Sequence, residues 1–308
     1  MRCESKSDPV RQTQPVTGNR LSAWDSFWRY DRLSSFHAAP GAPNYGPPVA
    51  DGWRAFFQSL PDGAQVLDLA TGNGAIAVLA VEADKHFIVT GSDLADVRPA
   101  DFVTTARAAV ETIEFLANTP AELLPLAASS IDVIVSQYGV EYSDLSRSLP
   151  EAVRVLAPGG RLRFAIHAAE GSIAHETSTS IADADFVLGL DLAALAARGT
   201  IDFNAGLKAI ADRASSATDV AMLANVHQTL CDTFDHRRDK LAATAAHLVD
   251  EIGAHRDRQA ALLAAARTRE QMTIIAATLE TLGLTAIAHS DQRDGAGLIG
   301  HVIEARHG

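Results

Sequence analysis

The stretch Gln65-Val-Leu-Asp-Leu-Ala-Thr-Gly-Asn-Gly-Ala-Ile-Ala-Val-Leu79 constrains the fold of this chain more than any other. Val66, Leu67 and Leu69 form an apolar run of strand length, Gly72 and Gly74 follow, and the next apolar residues suit a helix. A strand that breaks into a glycine turn and restarts as a helix brings a helix N-terminus and bare backbone to one point, a cradle for a nucleotide-like ligand. Asp68, at the strand end, selects among such ligands. A carboxylate there opposes a pyrophosphate and favours the ammonium of an amino acid. Gly72-Asn-Gly74-Ala-Ile-Ala77 also fits a relaxed dinucleotide fingerprint, so a nicotinamide cofactor stays open as the alternative, with Asp68 against it.

Further strands follow in order. His86–Leu94 is an apolar strand ending in Asp93, 19 residues beyond Gly74. An acid at that point can accept both hydroxyls of a ribose, and Leu94 can lie against a purine face. Ile113–Asn118 reads as a third strand and Ile131–Tyr138 as a fourth. Val155–His167 gives a helix end, a Pro-Gly-Gly turn and a fifth strand. Alone, each glycine or acid also fits an ordinary turn or helix cap; the ordered set is what points to a cofactor site.

These ordered motifs resemble class I S-adenosylmethionine-dependent methyltransferases, over roughly residues 60 to 170 plus the last 25 or so, about half the chain. The resemblance implies an α/β fold: a doubly wound, seven-stranded, mostly parallel sheet with helices on both faces. It implies S-adenosylmethionine as cofactor, with Asp68, Ala70, Thr71, Gly72, Asn73 and Gly74 around its methionine part, Asp93 on the ribose and Leu94 on the adenine. Asn118, Thr119 and Glu122 would lie at the adenine edge, and Gln137 with Tyr138 beside the reactive methyl. The family's first glycine is Ala70 here, and Pro120 looks inserted.

Outside that core two regions stand apart. Nine of eighteen aromatic residues lie between Trp24 and Phe57. Trp24–Arg32 reads as a helix, His37–Pro48 as a loop with four prolines, and Trp53–Leu60 as the helix entering the core. These rings can bury a terminal helix, close as a lid over the cofactor, or do both. From Gly171 to about Arg269, alanine- and leucine-rich helical periodicity replaces the expected sixth strand. Strands resume at Leu284–Asp291 and Leu298–Arg306, the last expected as an antiparallel edge. The expected organisation is therefore a disordered N-terminus (1–18), an aromatic lid (19–60), a methyltransferase core (61–170), a helical insertion (171–269) and a C-terminal helix with the last two strands (270–308). By resemblance the insertion carries acceptor specificity and homodimer contacts.

Composition narrows the partners. The net charge is −12, the reverse of a backbone-tracking nucleic-acid binder, and His236-Arg-Arg-Asp-Lys240 is a short basic run that suits a solvated helix face. Cys3 and Cys231 are too few for a disulfide framework, and the eleven histidines show no metal-ligand spacing, so no metal is expected. The first 20 residues lack an apolar core of signal-peptide length, and no apolar run approaches membrane-spanning length. A reducing cytoplasm without membrane contact is the expectation.

Methyl transfer from a sulfonium needs alignment more than acid–base help. If the acceptor is a hydroxyl, a base is useful, and His167 at the end of the fifth strand is the first candidate, with Tyr138, Glu141 and Tyr142 as alternatives. Ser136-Gln-Tyr-Gly139 lacks the Pro-Pro-aromatic pattern that the resemblance associates with methylation of exocyclic amines. A small or medium-sized organic acceptor is therefore the expectation. A macromolecule methyltransferase and a non-catalytic cofactor-binding protein of the same fold stay open.

Overall fold

The computed structural model describes residues 18–36, 44–198, 200–217, 220–295 and 297–308. The expected disorder of residues 1–18 thus lies outside the described residues, except for Gly18, which opens a helix.

Seven strands form one sheet: β1 (Gln65–Leu69), β2 (Ile88–Ser92), β3 (Glu114–Leu116), β4 (Ile131–Gln137), β5 (Leu156–His167), β6 (Leu284–Asp294) and β7 (Gly297–His307), in the order β3-β2-β1-β4-β5-β7-β6. The first five are parallel. After β3 the chain crosses back to pair β4 with β1, so the order reverses beside Asp68, where open α/β sheets receive ligands. Helices α1 (Gly18–Phe27) and α2 (Pro47–Gln58) precede the sheet; α3 (Ala75–Val81), the short α4 (Pro99–Phe102) and α5 (Arg107–Val110), and α6 (Leu145–Val155) connect its strands.

Period-two side-chain alternation builds the two faces. Val66, Val133 and Val135 pack with α2 and α3, whereas Leu67, Leu69 and Ile134 pack with α6 and with α12 (Arg269–Thr281). A strand residue such as Leu67, with 0% of its surface exposed, contributes about 1.5–3 kcal/mol by burial. Thr268 caps α12 reciprocally with Gln271, fixing where that helix starts.

Three expectations need correction. The last strand, β7, is antiparallel but internal: it pairs with both β5 and β6, and β6 forms the edge. Its Val302, Ile303 and Ala305 are buried toward both faces, and its backbone pairs with a neighbour on each side. Pro158-Gly-Gly160 does not separate turn from strand; β5 runs through it, with pairing stepping from Ile131↔Leu156 to Val133↔Arg161. Finally, α1 ends at Phe27, so Trp28, Tyr30 and Arg32 lie in turns. The carbonyls of all three point at the Asn73 amide, a use incompatible with a helix that bonds its own carbonyls.

Between β5 and α12 stand five helices: α7 (Ser172–Gly189), α8 (Leu192–Arg198), α9 (Thr200–Ala214), α10 (Val220–His236) and α11 (Leu241–Ala265). They share a core of their own around Phe203, Leu223, Leu230 and Leu248. The segment leaves and rejoins the sheet at one place, where Ala168 bridges Arg267 and Arg267 N donates to the His167 carbonyl (2.8 Å). No helix among the described residues is long and apolar enough to cross a membrane.

Candidate active site

Asp68 ends β1 with its carboxylate buried, accepting from Thr71 Oγ1 (2.6 Å) and Ala77 N (3.3 Å). Desolvation raises its pKa to about 7, opposed by those hydrogen bonds and assisted by the like charge of Asp93. The turn after it is left-handed at Ala70 (φ 54°), Gly72 (φ 54°) and Gly74 (φ 86°). Ala70 therefore adopts a conformation that glycine takes freely, at a cost of roughly 1–2 kcal/mol. Its methyl is accommodated because residue 139 is glycine: a Cβ there would lie 2.6 Å from Ala70 Cβ.

Asp93 follows β2. Its Oδ2 accepts from Gly72 N and its Oδ1 from Ala95 N, both at 2.8 Å, tying this acid to the glycine turn. Desolvation lifts its pKa to about 6 against those bonds. Leu94 beside it is 37% exposed. Thr119 N donates to the Asp93 carbonyl (2.7 Å) and Asn118 N to the Ala95 carbonyl (3.2 Å), so both border the same corner. Glu122 does not: its carboxylate accepts from Asp144 N at the start of α6.

The N-terminal aromatics reach this corner. Trp28 packs on the glycine turn so closely that a Cβ on Gly72 would lie 2.4 Å from the indole. Trp24 stacks on Trp28 and meets Tyr142 edge-on. Asn73, 0% exposed, donates its amide to the carbonyls of Trp28, Tyr30 and Arg32, while its own Oδ1 is buried without a partner. The residue expected to face the cofactor instead holds the aromatic segment onto the turn.

At the ends of β4 and β5 the expected proton-transfer candidates separate into different roles. Glu141, fully buried in a single 3-10 turn after β4, accepts on Oε1 from His167 N (3.0 Å) and lies 2.9 Å from His167 Nδ1. Its Oε2 has no partner, and Arg267 Nη2 donates to its carbonyl (3.1 Å). The imidazole stacks on Tyr138 at 4.0 Å between centroids. Tyr138 is committed elsewhere: its hydroxyl donates to Gln292 Oε1 (2.6 Å), and burial pushes its pKa well above the usual phenol range. Gln137 belongs to the same network, accepting from Trp53 Nε1 (2.6 Å) and donating to Gln292 (2.9 Å). Burial also raises Tyr142, so neither phenol suits proton abstraction near neutral pH.

A cavity of about 1300 Å³ opens at the Asp68 turn and the ends of β4 and β5; Asp93, Leu94, Asn118 and Thr119 are not among its lining residues. Its lining includes Asp68, Thr71, Tyr138 and His167 of the core, Trp28 and Arg32 of the N-terminal segment, and Ser180, His255 and Arg258 of the inserted helices. The sequence signalled neither the Glu141–His167 contact, which spans 26 residues, nor the roles of Asn73, Gln292 and Arg258. No group of three or more His, Cys, Asp or Glu among the described residues is placed to hold a metal.

The donor set fits an aminoacyl nucleoside better than a dinucleotide: a buried acid sits before the turn and a second acid is tied to it, with no cation among the turn's hydrogen bonds. Residues 67–164 match the methyltransferase domain family. The chain is 36% identical over 141 residues to an uncharacterised methyltransferase of Mycobacterium tuberculosis, covering 44% of this chain and 52% of that one. It is 35% identical over 99 residues to a demethylmenaquinone methyltransferase of Thermus thermophilus (32% and 44%), and 34% over 105 residues to a malonyl-[acyl-carrier protein] O-methyltransferase of Methylococcus capsulatus (34% and 38%). The chain thus spans about half the length of the first relative and less of the others. With its reversed strand order and paired acids, the part of the chain spanning residues 67–164 is similar to a methyltransferase domain.

Proposed function

We propose that the chain transfers a methyl group from S-adenosylmethionine to a hydroxyl of a small or medium-sized organic acceptor held in the cavity. The observation that carries this reading is His167, which lines the cavity together with Asp68 and is paired to the buried Glu141 behind it. When bound, the cofactor supplies an electrophilic methyl on a sulfonium. Asp68 and Thr71 would hold its ammonium end and Asp93 its ribose, with Leu94, Asn118 and Thr119 around the base. Glu141, accepting from Nδ1–H, would fix the imidazole tautomer that leaves Nε2 free to take the acceptor's proton, and would stabilise the imidazolium formed. Trp24, Trp28 and Tyr142 would exclude water from the reacting atoms. The two named relatives act, by their names, on a demethylmenaquinone and a malonyl thioester of acyl-carrier protein, and the acidic balance of the chain disfavours nucleic acid.

The test is a transfer assay with methyl-labelled cofactor against pools of phenols and hydroxy acids, proteins and RNA. Label is expected in the small-molecule fraction; label confined to protein or RNA would overturn the acceptor class.

Protonation of Asp68 offers a second check. Its unfolded-state pKa is near 4, so between about pH 4 and 7 the folded chain holds a proton that the unfolded chain has released. This group's contribution to stability therefore falls as pH rises through that window. An ammonium bound beside it favours the ionised form, so cofactor binding near pH 6 is expected to release protons. Calorimetry of S-adenosylhomocysteine in buffers of different ionisation enthalpy measures this; heats independent of buffer would remove Asp68 from the ammonium site.

A further inference from the structure

Arg32, from the turns after α1, and Arg258, from α11, both line the cavity wall, half-buried. Each guanidinium lies over the same Phe27 ring, at 4.3 and 4.9 Å from its centroid, and the charge of Arg32 acts on Arg258. Neither has a carboxylate within ion-pair distance among the described residues. Arg258 donates one hydrogen bond, to the Ala23 carbonyl (3.1 Å), and Arg32 Nε is buried without a partner. The nearest acids are engaged otherwise. Glu251 accepts from the Tyr30 hydroxyl and faces His247, and Asp257 lies by Arg256. Glu176 of α7 also lines the cavity, as do Asp250 and Asp294. Desolvation and the charge of Arg32 lower Arg258 to about 10. Two cations held together in a partly desolvated wall are costly unless something neutralises them. Tyr30, Glu251 and Asp257 offset part of that cost at Arg258, and an anion entering from the cavity would offset more.

We infer that Arg32 and Arg258 form a subsite for an oxyanion group, carboxylate-like in geometry, carried by the methyl acceptor. This rests on the methyltransferase reading. Guanidiniums bind such groups by forked, charge-assisted hydrogen bonds, and both retain unused donors. The subsite is built from the N-terminal segment and the inserted helices, whereas the His167–Glu141 pair lies at the sheet edge. The anion would therefore anchor the far end of the acceptor and leave its hydroxyl toward the imidazole. The cofactor's own carboxylate has the same chemistry and is the competing source.

Benzoate and its neutral counterpart benzamide serve as probes, titrated into the full chain with and without saturating S-adenosylhomocysteine. The wild type is expected to prefer benzoate by about tenfold or more, one charge-assisted interaction's worth. Arg32→Gln and Arg258→Gln should each erase most of that preference, Arg258→Lys should retain part of it, and the exposed-site control Arg54→Gln should leave it unchanged. The preference should persist in the S-adenosylhomocysteine complex. Equal binding of the two probes by the wild type, or a preference that survives both glutamine variants, would overturn the subsite. So would a third result: benzoate excluded by S-adenosylhomocysteine, with both variants weakening that nucleoside but not 5′-methylthioadenosine, which lacks the carboxylate. If S-adenosylhomocysteine fails to bind at all, the methyltransferase reading fails, while the probe comparison in the free chain still decides the anion subsite.

Discussion

His167→Ala is expected to lower turnover by on the order of 10² to 10⁴ while leaving S-adenosylhomocysteine affinity nearly unchanged. The imidazole is 4% exposed and held on one side by Glu141 and on its face by Tyr138, an arrangement that would leave Nε2 to take the acceptor's proton. Truncation also leaves Glu141 as a fully buried carboxylate with one partner fewer, so the fold itself is at risk. Glu141→Gln keeps the shape and separates the two effects. It should lower turnover by on the order of 10², because a neutral amide orients the ring less well and cannot stabilise the imidazolium. A base also imposes an acidic limb on the rate profile, which should vanish in His167→Ala and persist in Glu141→Gln. A folded His167→Ala variant with wild-type turnover would return this histidine to a purely structural role.

The sheet was legible because its information is local. Buried parallel strands are short apolar runs, and at β1 the glycine turn marks where the strand ends. The acids near the ends of β1 and β2 were legible as candidates from position alone. What stayed hidden depends on contacts across the chain. Nothing local in Asn73 shows that its amide collects three carbonyls from residues more than 40 positions away. The helical periodicity of Trp24–Arg32 suggested a longer helix than forms, because those carbonyls are taken by that one side chain. The placement of β7 inside the sheet rests on its pairing with both β5 and β6, which a run such as Leu298–Ile303 does not reveal in one-dimensional reading. Glu141 and His167 were each legible as candidates, but their pairing depends on β4 and β5 lying side by side in register.

Asp93→Ala is expected to weaken S-adenosylhomocysteine by about 1.5–3 kcal/mol, because the ribose hydroxyls lose a charge-assisted acceptor. The structure adds a second consequence. Both Asp93 oxygens already accept backbone N–H groups, from Gly72 and Ala95. An ionised carboxylate has about four acceptor sites, so the ribose can bind without displacing either. Alanine removes both ties and leaves Gly72 N without its acceptor beneath the Trp28 ring. Against that, it abolishes the cost of desolvating a buried acid, which has raised Asp93 to about 6. These terms oppose one another in the fold, whereas in ligand binding only the loss remains. The variant should therefore melt close to the wild type and bind poorly. Adenosine and methionine, titrated separately, locate the defect: the loss should follow adenosine, which carries the ribose, and spare methionine, whose ammonium faces Asp68. Wild-type adenosine affinity in the folded variant would mean that the ribose lies away from Asp93, and that Asp93 serves only to clamp the glycine turn to the end of β2.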